Sequence, residues 1–162
     1  MQHSLFSHRY ILTLIAGASF LGVAAALVSQ HLLGMWPCAW CILQRLLFIT
    51  IGLVAVIGLV LPNITIKRGA LLLSALTSIA GIAAAWHQKT VAAQSFSCDQ
   101  TLADRIIVGS GLDASLPWLF GIYANCMDAS VSLLGLDFAV WSLLLFLVLA
   151  TASLIGLFTR HN

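Results

Sequence analysis

Charged side chains are scarce in this chain: Asp, Glu, Lys and Arg make up 7% of its 162 residues, against about 25% in an ordinary soluble domain. All five acids are aspartates and no run of like charge occurs, which excludes the basic stripe that a nucleic-acid-binding surface needs. There is no internal repeat and no low-complexity segment, so solenoid arrays and flexible linkers are excluded too. What is present is 61% apolar. Such a chain belongs in a lipid bilayer.

Uncharged, mostly apolar runs cover residues 10–29, 46–61, 69–86 and 138–158, each near the roughly 17–25 residues that cross hydrocarbon as a helix. The second must begin near Cys41 to reach full length, which draws Arg45 into its first turns. Helices are expected because they satisfy their own backbone hydrogen bonds where water is absent. The predicted fold is an all-α membrane protein, a single integral domain over residues 1–162. It is a four-transmembrane-helix bundle with spans near 10–29, 41–61, 69–86 and 138–158 and two outer loops, 30–40 and 87–137. A cleaved signal peptide is the competing reading of the first run, since Arg9 precedes it and Val23, Ala24, Ala25 and Ala26 supply small residues. An uncleaved helix keeps the span count even.

An even count puts both termini on one side with the connection at residues 62–68. Arg9, Lys67, Arg68 and Arg160 fall there, against Arg45, Lys89 and Arg105 on the other side, and excess Lys and Arg mark the cytoplasmic face. Tyr10, Trp36, Trp40, Trp86 and Trp141 lie near the proposed helix ends, where amphipathic rings prefer the headgroup region. Gly17, Gly22, Gly52, Gly58, Gly81 and residues 83–85, all alanine, are expected to let helix backbones approach. Within the long second loop, residues 116–123 are apolar but too short to span. They are expected either to lie on the membrane surface or to fold against the loop itself.

The four cysteines occur as two pairs, Cys38 with Cys41 and Cys98 with Cys126, both in segments on the outer side. A CxxC closes a disulfide reversibly, and a cysteine at a helix N-terminus has its thiolate favoured by unpaired N–H groups and the helix dipole. Arg45 follows Cys41 by one helical turn on the same face. A guanidinium drawn toward the bilayer is costly, which implies a use: stabilising the Cys41 thiolate and an anionic ring ligand beside it. The plainer reading has Arg45 snorkelling to headgroups as an anchor. Two other classes fit the cysteines. One is a non-enzymatic tetraspan protein with structural disulfides; the other is a metal-binding membrane protein using all four sulfurs.

Four spans, Cys38-Ala39-Trp40-Cys41 with Arg45 four residues on, and a long second outer loop bearing Cys98 and Cys126 together resemble the DsbB family over nearly the whole chain. These are bacterial inner-membrane thiol oxidases, and that family's pairing with DsbA and quinone keeps the periplasm oxidising. The resemblance implies a protein dithiol:quinone oxidoreductase with both termini cytoplasmic and both cysteine loops periplasmic. It implies that a reduced DsbA-like thioredoxin-fold protein attacks the Cys98–Cys126 disulfide and is held by Cys98. Cys126 then passes electrons to Cys38 and on to Cys41. The implied acceptor is a non-covalently bound ubiquinone or menaquinone beside Cys41 and Arg45, with His87, at the outer end of the third span, associated with the same pocket. No metal and no nucleic acid is implied. Gln44 stands where some members carry an acid before the arginine.

Overall fold

The computed structural model describes residues 2–94, 101–127, 132–133 and 135–159; Cys98 lies outside them. Four long helices carry the fold: α1 (Gln2–Leu32), α2 (Ala39–Val60), α3 (Ile64–Thr90) and, after the short helices of the second loop, the final helix Phe138–Phe158. Each is long and apolar enough to cross a membrane. The fold is therefore an all-α four-span bundle, and α1 is one continuous helix through residues 23–26.

Local chemistry sets the helix ends. Gly34 takes a left-handed φ of 66° that turns the chain out of α1, and the Met35 N–H donates to the Ser29 carbonyl. At the next corner Pro62 restricts Leu61 to an extended conformation, φ −84° and ψ 128°, so α2 stops. Asn63 then caps α3, its side chain accepting from the Thr65 N–H at 2.9 Å.

The second loop is more structured than its composition suggests. It contains α4 (Leu102–Gly109), α5 (Leu112–Ser115) and α6 (Pro117–Phe120), which makes the last spanning helix α7 (Phe138–Phe158). Thr101 and Asp104 form a reciprocal capping box that starts α4. Within residues 116–123, Phe120 is buried with Ile42 of α2 and Ile107 of α4, whereas Leu116, Trp118 and Tyr123 stay exposed. A minimal antiparallel pairing of β1 (Ser132–Leu133) with β2 (Leu136–Asp137) leads into α7, a feature no alternation in the sequence announces. Lys89 at the end of α3 forms an ion pair with Asp137 at the start of α7.

The helices pack in a ring, α1 on α2, α2 on α3, α3 on α7 and α7 on α1. Leu12, Ile15, Ile51, Leu71 and Leu149 fill the centre, and the rings of Phe48 and Phe146 stack there with centroids 4.0 Å apart. Gly81 faces the Phe146 ring so closely that any Cβ would collide with it, and a Cβ on Gly58 would lie 2.8 Å from that of Ala70. Small residues thus let α3 meet α7 and α2. Gly17 is the exception, because nothing lies within 4 Å of where its Cβ would stand. Leu21, Val60 and Ile155 face outward, and Tyr10, Trp36, Trp86 and Trp141 are exposed near helix ends. Trp40 departs from the expected girdle. It is 7% exposed and packs with Cys38, Ala84 and Ala103, because α4 and the end of α3 cover it.

Candidate redox site at the mouth of the second helix

The CxxC straddles the start of α2. Cys38 is the N-cap, extended at φ −90° and ψ 171°, and its carbonyl accepts the first helical hydrogen bond from Ile42 at 3.0 Å. Cys41 follows in the first turn, which brings its Sγ to 3.4 Å from that of Cys38. The third sulfur comes from the second loop: Cys126 Sγ is 2.9 Å from Cys38 Sγ. Backbone bonding places it there, since the N–H groups of Tyr123 and Ala124 both donate to the Pro37 carbonyl, at 3.0 and 3.3 Å. Trp36 and Tyr123 add an edge-on ring contact at 5.4 Å. The two outer loops are thus joined one residue before Cys38.

Cys38 is 1% exposed. The Cys126 hydrogen bond, aided by burial, pushes its thiol up from 9.0 to about 12, while Cys41 opposes the rise. Cys126 moves the other way, lowered chiefly by its hydrogen bond with Cys38, while burial opposes the fall. Of this pair, Cys126 is the one that ionises more readily.

Arg45 does not snorkel. It is 4% exposed, and its Nη1 donates to Gln30 Oε1 of α1 at 2.9 Å and to the carbonyl of Leu119 in the second loop. Its Nε has no partner among the described residues. Arg45 lines a narrow cleft together with Cys41, Gln44 and Phe48 of α2, Ser29 of α1 and Phe138 of α7. A second, almost wholly apolar groove of about 490 Å³ shares the Gly22, Ser29, Phe48 and Phe138 walls and continues past Leu145 and Val148. It lies between α1 and α7.

His87 is elsewhere. Its exposed ring stacks on Trp40 with centroids 4.6 Å apart, and it is not among the residues lining the cleft. Its neighbour Gln88, overlooked in the sequence, turns inward instead. Gln88 Nε2 lies 3.2 Å from Cys41 Sγ and 3.7 Å from Cys38 Sγ, and its Oε1 accepts from Gln44 Nε2 at 2.6 Å. The usable signal was an amide at the outer end of an apolar span, repeated at Gln30, Gln44 and Gln88, because a carboxamide inside a bundle must find a partner. Among the described residues no group of three or more His, Cys, Asp or Glu side chains is arranged to hold a metal ion.

The structure therefore brings Cys38, Cys41, Cys126 and Arg45 together, sets His87 behind Trp40, and leaves Cys98 undescribed. Comparison with known proteins gives this arrangement its context. Residues 8–156 match the family model described as disulfide bond formation protein DsbB. Proteins named disulfide bond formation protein B are similar: the one from Cupriavidus metallidurans is 32% identical over 96% of both chains. That from Herminiimonas arsenicoxydans is 32% identical over 88% of this chain and 90% of its own, and that from Pseudomonas syringae pv. tomato 34% over 79% and 76%. The chain thus belongs to the DsbB family, and so to the multi-pass membrane proteins of disulfide bond formation.

Proposed function

We propose that this protein is a membrane thiol:quinone oxidoreductase that reoxidises a DsbA-like dithiol protein outside the bacterial inner membrane and reduces a quinone within it. The observation that carries the reading is the row of sulfurs, Cys126 to Cys38 at 2.9 Å and Cys38 to Cys41 at 3.4 Å, ending at a cleft that holds Arg45. In this orientation Arg9, Lys67 and Arg68 face the cytoplasm with both termini.

The partner's thiolate attacks the Cys98–Cys126 disulfide at Cys98, forming a mixed disulfide and releasing Cys126 as a thiolate. The partner's second thiol displaces Cys98, so the partner leaves oxidised. Cys126, whose charge the Cys38 environment favours, attacks the Cys38–Cys41 disulfide at Cys38 and releases the Cys41 thiolate. Cys98 then attacks Cys126, restoring the outer disulfide and freeing Cys38 as a thiol. Two electrons now reside on the Cys38–Cys41 dithiol.

The residues present fit a quinone. The cleft offers apolar walls, a reactive sulfur, and a guanidinium whose buried Nε–H lacks a partner among the described residues. A quinone bound there would accept two electrons and two protons and depart as quinol. Cys41 and Arg45 would hold its ring, the arginine opposing charge that builds on the ring oxygens. The neighbouring apolar groove suits an isoprenoid tail. His87 enters this proposal as a support of Trp40, whose backbone leads directly into Cys41.

The test is a titration of the purified protein with a reduced thioredoxin-fold dithiol protein. Substrate oxidation should match quinone reduction mole for mole, with a long-wavelength band of thiolate beside quinone that Cys41→Ser abolishes. A partner whose second thiol is replaced by serine should accumulate as a mixed disulfide on Cys98, with Cys126 released as the leaving thiolate. Turnover without quinone reduction, or no trapped partner, overturns the proposal.

A further inference from the structure

We infer that Gln88 is a second determinant of Cys41 reactivity, donating a hydrogen bond to the reacting sulfur, and that Gln44 is the positioning residue that makes it do so. Both carboxamides are buried, Gln44 at 3% and Gln88 at 5% exposure, one in α2 and one in α3. An amide buried in a membrane bundle must be satisfied by other protein groups. Here the satisfaction has a direction. Gln44 Nε2 donates to Gln88 Oε1 at 2.6 Å, which occupies the acceptor end of Gln88 and turns its Nε2 toward the sulfurs. The donor end then meets Cys41 Sγ at 3.2 Å, closer than Cys38 Sγ at 3.7 Å.

A disulfide or neutral thiol sulfur is a weak acceptor, whereas a thiolate is a strong one. The Gln88 contact is accordingly stronger when Cys41 is reduced and charged than when it is joined to Cys38. It therefore stabilises the reduced pair and makes that pair more oxidising. The preference for Cys41 over Cys38 also puts the charge on the sulfur that lines the cleft rather than on the one facing Cys126. Gln44 lines the same cleft, so one side chain touches both the ligand space and the amide that tunes the sulfur. This inference rests on the relay proposed above only in assigning Cys41 as the sulfur that delivers electrons.

The measurement is the reduction potential of the Cys38–Cys41 pair. The full-length protein, carrying Cys98→Ser and Cys126→Ser so that one pair titrates, is equilibrated with thiol–disulfide buffers and scored by alkylation and mass. Gln88→Met keeps the side-chain length and removes the donor. It should lower the equilibrium constant for reduction about tenfold, about 30 mV for this two-electron couple. Gln88→His, which keeps an N–H, should restore most of the loss. Gln44→Glu should act in the same direction as Gln88→Met, because an ionised carboxylate only accepts and flips the Gln88 amide so that oxygen faces sulfur. If Gln88→Met does not fold, Gln44→Met carries the test with the same expected fall. A potential within twofold of the parent's equilibrium constant in the folded variants overturns the inference. Failure of the relay shows separately, as a wild-type protein that neither exchanges with the partner nor reduces quinone.

Discussion

Cys126 and Cys38 stand 88 positions apart in sequence, yet their sulfurs are 2.9 Å apart because Tyr123 and Ala124 both donate to the carbonyl of Pro37. The second loop is in effect fastened to the first at the entrance of α2. A sulfur held there by main-chain bonds needs no large loop movement before exchange.

That fastening predicts the effect of removing one donor. Ala124→Pro deletes an N–H to Pro37, and losing a hydrogen bond of about 1–1.5 kcal/mol should slow transfer from Cys126 to Cys38 roughly tenfold. Capture of the partner by Cys98 should be unaffected. Rapid quenching with an alkylating agent separates the two steps, and equal slowing of both refutes the account.

Arg45 spans three elements, holding Gln30 of α1 and Leu119 of the second loop from its place on α2. Lysine keeps the charge but loses the planar guanidinium, whose Nη1 serves both acceptors while its Nε–H has no partner among the described residues. Arg45→Lys should therefore raise the quinone KM by about 10–100-fold, the worth of one or more charge-assisted hydrogen bonds. His87→Ala, outside the cleft, should change that KM by less than about threefold, since a lost ring stack is worth about 0.5–1.5 kcal/mol and does not contact the ligand space. Steady-state kinetics with a short-tailed quinone decides both.

The thiols make a prediction in pH. In the reduced protein Cys126 is lowered by its hydrogen bond with Cys38, whereas Cys38 is raised from 9.0 to about 12. Iodoacetamide should accordingly label Cys126 well before Cys38, starting below the ordinary thiol range. Between pH 9.0 and about 12 the unfolded chain has released the Cys38 proton that the folded chain retains, so the reduced fold loses stability as pH rises through that window. The disulfide-bonded protein has no such proton on Cys38 and should lack the decline. Thermal denaturation in detergent, with and without reductant, reads the difference.

Packing supplies a control pair. Gly81→Ala forces a methyl into the Phe146 ring and should destabilise by about 1–3 kcal/mol, the usual range for overpacking. Gly17→Ala meets open space and should be neutral or slightly stabilising, because alanine favours helix over glycine by about 1 kcal/mol. Equal melting temperatures for the two variants would show that α3 and α7 do not meet as described.

The four spans were legible because hydropathy over some twenty residues is a large, local signal, and so was the CxxC with Arg45 one turn on. The partners of Arg45 were not, since its acceptors Gln30 and Leu119 lie on other elements, although the cost of drawing an arginine toward lipid already favoured a use over an anchor. Trp40 was misread for the same reason: sequence places it at an interface, while α4 and the end of α3 cover it. Gln88 was passed over for His87, the more familiar chemistry, although adjacent helical residues point about 100° apart. Only the turn of α3 decides which of them meets the sulfurs. Cys126 beside Cys38 depended on two backbone hydrogen bonds that leave no trace in residue type.

The groove between α1 and α7 follows the spanning helices, its walls running from Phe138 to Val148 within the apolar length of α7. A greasy molecule using it arrives by two-dimensional diffusion and never crosses water. Supply is then set by abundance within the lipid sheet instead of aqueous solubility, and crowding or thickening of that sheet becomes a direct brake on turnover.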